Sequence, residues 1–198
     1  MAIKDRQKLF TELVSRALNE PAQIDAKFSW FINQHQKEHF KDAYSIIESI
    51  FVSLNGFDQQ KGKRFLQCDA YFGGKYNFMF EFDEFQHFST ARLNTFKHYP
   101  TALKLNFSIS QWKEYCIKHL SKADRYRLNK EAADFKFKGG RTCQRAYLDV
   151  FRDLLPQYHK LNPTLRIADF EVNHIIDITP HSIKFVKDLI DNKIQQSQ

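Results

Sequence analysis

The stretch FLQCDAYFGGKYNFMFEFDEFQHF, from Phe65 to Phe88, decides the fold. It reads as a β-hairpin about Gly73-Gly74-Lys75, because loops of two to five residues containing Gly join antiparallel strands. Strand side chains alternate, so Phe78, Phe80 and Phe82 take one face and Met79, Glu81 and Asp83 the other. Asp69 stands on the first arm; Glu84, Gln86 and His87 follow the second. Loop length settles which acids meet. A two-residue Gly73-Gly74 loop pairs Phe72 with Lys75 and turns Asp69 away from Glu81. A three-residue loop pairs Phe72 with Tyr76 and sets Asp69 opposite Met79. Asp69, Met79, Glu81 and Asp83 then share a face. The three-residue register is the expectation, because it gives the acids a common chemical purpose.

Working outward, apolar spacing predicts a helix over Ile3 to Asn19, ended by Glu20-Pro21, and a weaker one over Ala22 to Gln36. These two form a helical extension, residues 1–36, on a core of residues 37–198. A stronger helix runs from Phe40 to Leu54, carries Glu48 and stops at Asn55-Gly56. After the hairpin come a short helix or loop with Arg92, a strand at Leu103 to Ile109, and a helix from Ser110 to Leu120. A charged stretch, Ser121 to Lys138, leads to Gly139-Gly140. Then follow a helix from Thr142 to His159, a strand from Thr164 to Val172 and a last helix from Pro180 to Ile194. The QQSQ tail reads as disordered. The fold class is α/β (α+β): a mixed sheet with a central β-hairpin, flanked by helices.

The length of 198 residues favours one domain, and 20 Phe supply a core built on aromatic packing. Lys and Arg number 30 against 23 Asp and Glu, and this +7 favours a polyanionic partner. Cys68, Cys116 and Cys143 are scattered and odd in number, which argues against a disulfide framework and fits a reducing cytoplasm. No apolar run approaches membrane-spanning length, so no membrane association is expected.

Phosphodiester hydrolysis uses a divalent cation to polarise the phosphoryl group and acidify water. Mg²⁺ takes one or two carboxylates plus waters and substrate phosphate, and Asp69 with Glu81 is such a pair. The pattern of Asp69, then Glu81-Phe82-Asp83, then Gln86-His87 and Arg92 resembles the PD-(D/E)XK restriction-endonuclease-like superfamily. It is most similar to the branch of very-short-patch-repair endonucleases. The resemblance covers Phe40 to Pro100. It implies a metal-dependent nuclease of restriction or repair type, with Mg²⁺ (or Mn²⁺) held by Asp69 and Glu81. Asp83 stands where many members carry lysine; it implies a further ligand or a degenerate site. Glu48, Gln86 and His87 complete the implied catalytic set. His87 could be an acid–base group or a structural hydrogen bonder; Glu48 could equally be a solvated helix residue. Arg92 could clamp a phosphate or make a local ion pair. The resemblance also admits a homodimer.

Lys136, Lys138, Arg141 and Arg145 surround Gly139-Gly140 before a helix, a composition suited to DNA phosphates. Phe135 and Phe137 interleave with the lysines and could stack on bases or form one face of an edge strand. Two other readings stand beside the nuclease. One is a non-catalytic nucleic-acid-binding or assembly module. The other is an interaction protein whose hairpin acids pair with its own arginines, such as Arg64 and Arg92.

Overall fold

Alternation along Phe78–Asp83 divides the interior into two layers. A computed structural model describes residues 3–57 and 62–195. Among them is a four-stranded sheet in the order β1 (Ala22–Ile24), β2 (Ala70–Phe72), β3 (Phe78–Asp83) and β4 (Asn162–Ala168). The first two pairings are antiparallel and β3–β4 is parallel. The helices are α1 (Ile3–Leu18), α2 (Lys37–Phe40), α3 (Tyr44–Ser53), α4 (Thr90–Thr95), α5 (Ile109–Arg125), α6 (Gly140–Tyr158) and α7 (Pro180–Gln195). No helix among the described residues is long and apolar enough to cross a membrane.

One sheet face is apolar throughout. Phe72, Phe78, Phe80, Phe82, Leu165 and Ile167 pack under Phe10, Leu13 and Val14 of α1 and Val186 and Ile190 of α7. Phe10 stacks on Phe82 with ring centroids 5.0 Å apart. Each such buried side chain contributes about 1.5–3 kcal/mol. Met79 on the opposite face joins a second core with α3 and α6. That face also carries Glu81, Asp83, Thr164 and Arg166, all buried.

The hairpin loop is longer than its sequence suggests. Phe72 pairs with Phe78, not Tyr76, so the loop runs from Gly73 to Asn77. Gly73 O accepts from both Tyr76 N and Asn77 N at 3.1 Å, closing a helical turn. Asn77 takes φ 46°, a left-handed conformation that Asn tolerates. Its side chain accepts from Tyr71 Oη at 2.7 Å and donates to Lys160 O at 2.8 Å. The register therefore slips by two residues. An even slip preserves the faces, so the acids still share one, but Asp69 lies across from Glu81 rather than Met79.

Other elements differ too. Ala22–Ile24 is a strand, not the start of a second helix, because it finds β2 as a partner and Asp25, at φ 51°, turns the chain away. Residues 1–36 thus supply an edge strand and a sheet-covering helix. Leu103 to Ile109 forms no strand; Asn106 makes one isolated bridge to Leu165, while Leu105 and Phe107 enter the core. The cap of α5 is Ser108, whose Oγ accepts from Gln111 N at 3.3 Å. Residues 58–61 of the polar segment before the hairpin, and 196–198 of the expected disordered tail, lie outside the described residues.

Candidate functional site

The polar face of β3 and β4 meets a polar face of α6. Asp149, Arg152 and Asp153 are spaced i, i+3, i+4 and so project from one side of the helix. Arg166, fully buried, donates from Nη1 to both Asp83 oxygens at 2.7 and 2.8 Å and from Nε to Asp153 Oδ1 at 2.7 Å. Arg92 Nη2 and Tyr99 Oη each donate to Asp153 Oδ2 at 2.6 Å. His87 Nδ1 lies 2.9 Å from Asp149 Oδ2 and 3.6 Å from Asp83 Oδ1. Trp112 Nε1 reaches Asp83 Oδ2 at 3.4 Å. Burial opposes the charge on Asp149, but His87 and Arg166 outweigh it and hold its pKa well below the usual carboxylate range.

The Asp69–Glu81 end is arranged differently. Asp69, half-buried just before β2, accepts from Phe82 N through Oδ2 at 2.8 Å, continuing the hairpin ladder by its side chain. Glu81, 4% exposed, lies with Oε1 2.8 Å from Arg152 Nε. The guanidinium N–H is not aimed at that oxygen, so both atoms are buried without a hydrogen bond. Arg152 instead donates to Leu148 O at 3.1 Å and Gln67 O at 3.0 Å. The cluster holds five carboxylates (Asp69, Glu81, Asp83, Asp149, Asp153) and three guanidiniums (Arg92, Arg152, Arg166). Arg92 and Arg166 serve Asp83, Asp149 and Asp153. Glu81 has Arg152 beside it and Arg166 as its partner across the β3–β4 ladder, but at Asp69 and Glu81 the loss of water outweighs the charge of these cations. Burial pushes Glu81 up to about 8, and the charge of Asp69 adds to that rise. Burial likewise pushes Asp69 up to about 6, helped by the charges of Asp83 and Glu84.

Not every expected site residue joins this centre. Asp83 is enclosed by Arg166 and Trp112, which takes it out of a metal's reach. Glu48 lies against His35, itself bonded to Tyr147 Oη, and so is placed apart from the hairpin acids. Gln86 donates to Glu84 through Nε2, and its Oε1 is buried without a partner. Arg92, 1% exposed, lies too deep to clamp a surface phosphate; its role is the pairing with Asp153. Phe135 is fully buried against Phe51 and Tyr147 and cannot stack on a base. Lys136 and Lys138 are exposed; Arg141 and Arg145 are half-buried. Backbone amides at the start of α6 are occupied. Gly139 N donates to Leu128 O, Gly140 N to Phe137 O, Arg141 N to Lys130 O and Thr142 N to Gly139 O. A phosphate there would be held by side chains, not by the helix end.

Arg152, Asp149 and Asp153 escaped the sequence reading. The signal was available: within YLDVFRDLLP, three charged residues recur at helical spacing inside an otherwise apolar run. Compared with protein-family models, curated proteins and solved structures, the chain gives no significant match.

Proposed function

We propose that the chain is a metal-dependent nuclease of restriction or repair type that hydrolyses DNA phosphodiester bonds. Asp69 and Glu81 hold Mg²⁺ or Mn²⁺, and Asp83 has no part in the ligand set. One observation carries the reading. Two carboxylates oppose each other across the hairpin, both feel the charge of Arg152, and one of them, Glu81, has a buried oxygen with no hydrogen bond. Among the described residues no group of three or more His, Cys, Asp or Glu is placed to hold a metal ion. The reading therefore rests on a pair, which suffices for Mg²⁺ when waters and substrate phosphate complete its shell. When bound, the cation polarises the phosphoryl group and acidifies its water.

The chain's own residues do the rest. Arg152 stands beside the pair as the fixed cation that the aspartate at position 83 cannot supply, placed to neutralise charge on a phosphate. Asp69, but neither Glu81 nor Arg152, also lines a groove of about 780 Å³ with Gln7, Lys8, Thr11 and Asp25.

The test is incubation of plasmid and single-stranded DNA with Mg²⁺ or Mn²⁺, beside Glu81→Gln and Asp69→Asn. Cleavage that requires metal and vanishes in folded variants is expected. Cleavage indifferent to Glu81→Gln, or none with either metal, would sink the proposal. A second reading, a non-catalytic DNA-binding module on the same scaffold, is favoured by the burial of Glu81 beside Arg152. DNA binding that persists in EDTA, with no cleavage under any condition, is its signature. Sedimentation with and without DNA tests for a homodimer.

A further inference from the structure

Five of the chain's formal +7 charges fall between Ser121 and Arg145, where eight Lys and Arg face three Asp and Glu. Asp124 accepts from Thr90 N at 3.0 Å and Thr90 Oγ1 at 2.6 Å, Asp134 is buried, and Glu131 is exposed. Arg127 and Arg145 both lie over the ring of Tyr126, at 5.3 and 5.5 Å from its centroid. Arg141 reaches Gln144 Oε1, and Arg145 Nη1 lies 3.5 Å from Gln86 O. All these partners are neutral: a ring, an amide and a carbonyl. Asp149 and Glu84, the acids whose charge reaches Arg145, are already bonded to His87 and Gln86.

The arrangement is built rather than incidental. The loop bearing Arg127 is tied to α6 by Gly139 N to Leu128 O at 2.7 Å and Arg141 N to Lys130 O at 3.0 Å. Tyr126 is braced edge-on by Phe85 at 5.7 Å. Burial pushes the guanidinium pKa values of Arg141 and Arg145 down, and the positive charge of Arg127 adds to the fall, while Asp149 opposes it at Arg145. Planar guanidiniums match phosphate oxygens better than they match water.

We infer that Arg127, Arg141 and Arg145 form a phosphate-binding site around Tyr126 that grips the backbone of a nucleic-acid strand. The inference rests on the DNA-binding half of the proposed function and is independent of cleavage. Backbone amides at the head of α6 take no part, so the grip depends on the three side chains.

Fluorescence anisotropy with labelled single-stranded and duplex oligonucleotides, in EDTA and across a range of NaCl, tests it. The arginine-to-alanine double variant at 141 and 145 is expected to bind roughly tenfold or more weakly, as removal of charged hydrogen bonds implies. Its log–log salt slope should fall by about 2, one for each phosphate no longer neutralised. Arg127→Gly should lower the slope by about 1. Arg127 sits at φ 55°, which glycine adopts without strain, so misfolding does not explain a weakening there. Lysine at 141 and 145 should keep most of the slope. Slopes unchanged in both variants would overturn the inference, as would binding to anionic vesicles with none to oligonucleotides. Unchanged slopes with Glu81-dependent cleavage would overturn this site and leave the nuclease standing; lowered slopes without cleavage would do the reverse.

Discussion

Replacing Arg166 with methionine keeps much of the side-chain volume and removes the guanidinium that bonds Asp83 and Asp153. Arg166 is fully buried, lies 2.7 Å from each of those aspartates and 3.4 Å from Asp149 Oδ1. Removing one partner of a buried ion pair costs about 3–5 kcal/mol, because the remaining charge is left desolvated. With three carboxylates around it, Arg166 belongs at the upper end, about 5 kcal/mol. That is a large part of the roughly 5–15 kcal/mol that holds a domain together. The deficit should also depend on pH. Arg166 is one of the charges that hold buried Asp149 well below the usual carboxylate range, so without it that carboxylate binds a proton more readily in the folded state. The variant's deficit is then full at neutral pH and shrinks as pH falls. Urea unfolding followed by circular dichroism, at about pH 7.5 and about pH 5 for both proteins, measures it. A deficit below about 1 kcal/mol, the scale of a surface ion pair, would refute the reasoning. An equal deficit at both pH values would do so too.

Glu81 gives a pH signature of its own. Its pKa rises from 4.5 to about 8 on folding, so the fold favours the protonated form, and stability should decline as pH climbs through that window. Glu81→Gln should flatten the decline; parallel stability profiles for the two proteins would count against it. Gly140→Ala would place a Cβ 1.8 Å from Phe135 O, a backbone atom that cannot step aside. The expected cost is about 2–3 kcal/mol, visible as a lowered Tm in a thermal melt, and an unshifted Tm would contradict it. Ser89→Ala removes the oxygen that accepts from Arg92 N at 3.1 Å and caps α4. Denaturant unfolding should show a destabilisation of about 1 kcal/mol, and none if solvent caps the helix equally well.

Much of the scaffold was legible locally. The helices expected over Ile3 to Asn19 and Thr142 to His159 are α1 and α6, and both stand within two residues of those bounds. β1 was hidden because the three residues Ala22–Ile24 are too few for a period to show. Its strand character comes from the β2 edge it joins. The hairpin loop was misjudged because Asn77 carries its turn through contacts with Lys160 and Asn162, distant in sequence. Arg92 stood open between a phosphate clamp and a local ion pair, because nothing near it in sequence announces Asp153 as its partner.

By itself the sequence determined that Phe78, Phe80 and Phe82 face one way and Glu81 and Asp83 the other. Parity along a strand is local, and even a two-residue slip of register leaves it intact. Tertiary structure alone decided which cation each acid meets. Asp83 and Arg166 lie 83 residues apart and become neighbours only because β3 and β4 run parallel in one register. Glu81 meets Arg152 only because α6 turns one particular face to the sheet. A buried carboxylate must be neutralised by whatever cation packing brings, and packing is decided by the whole chain.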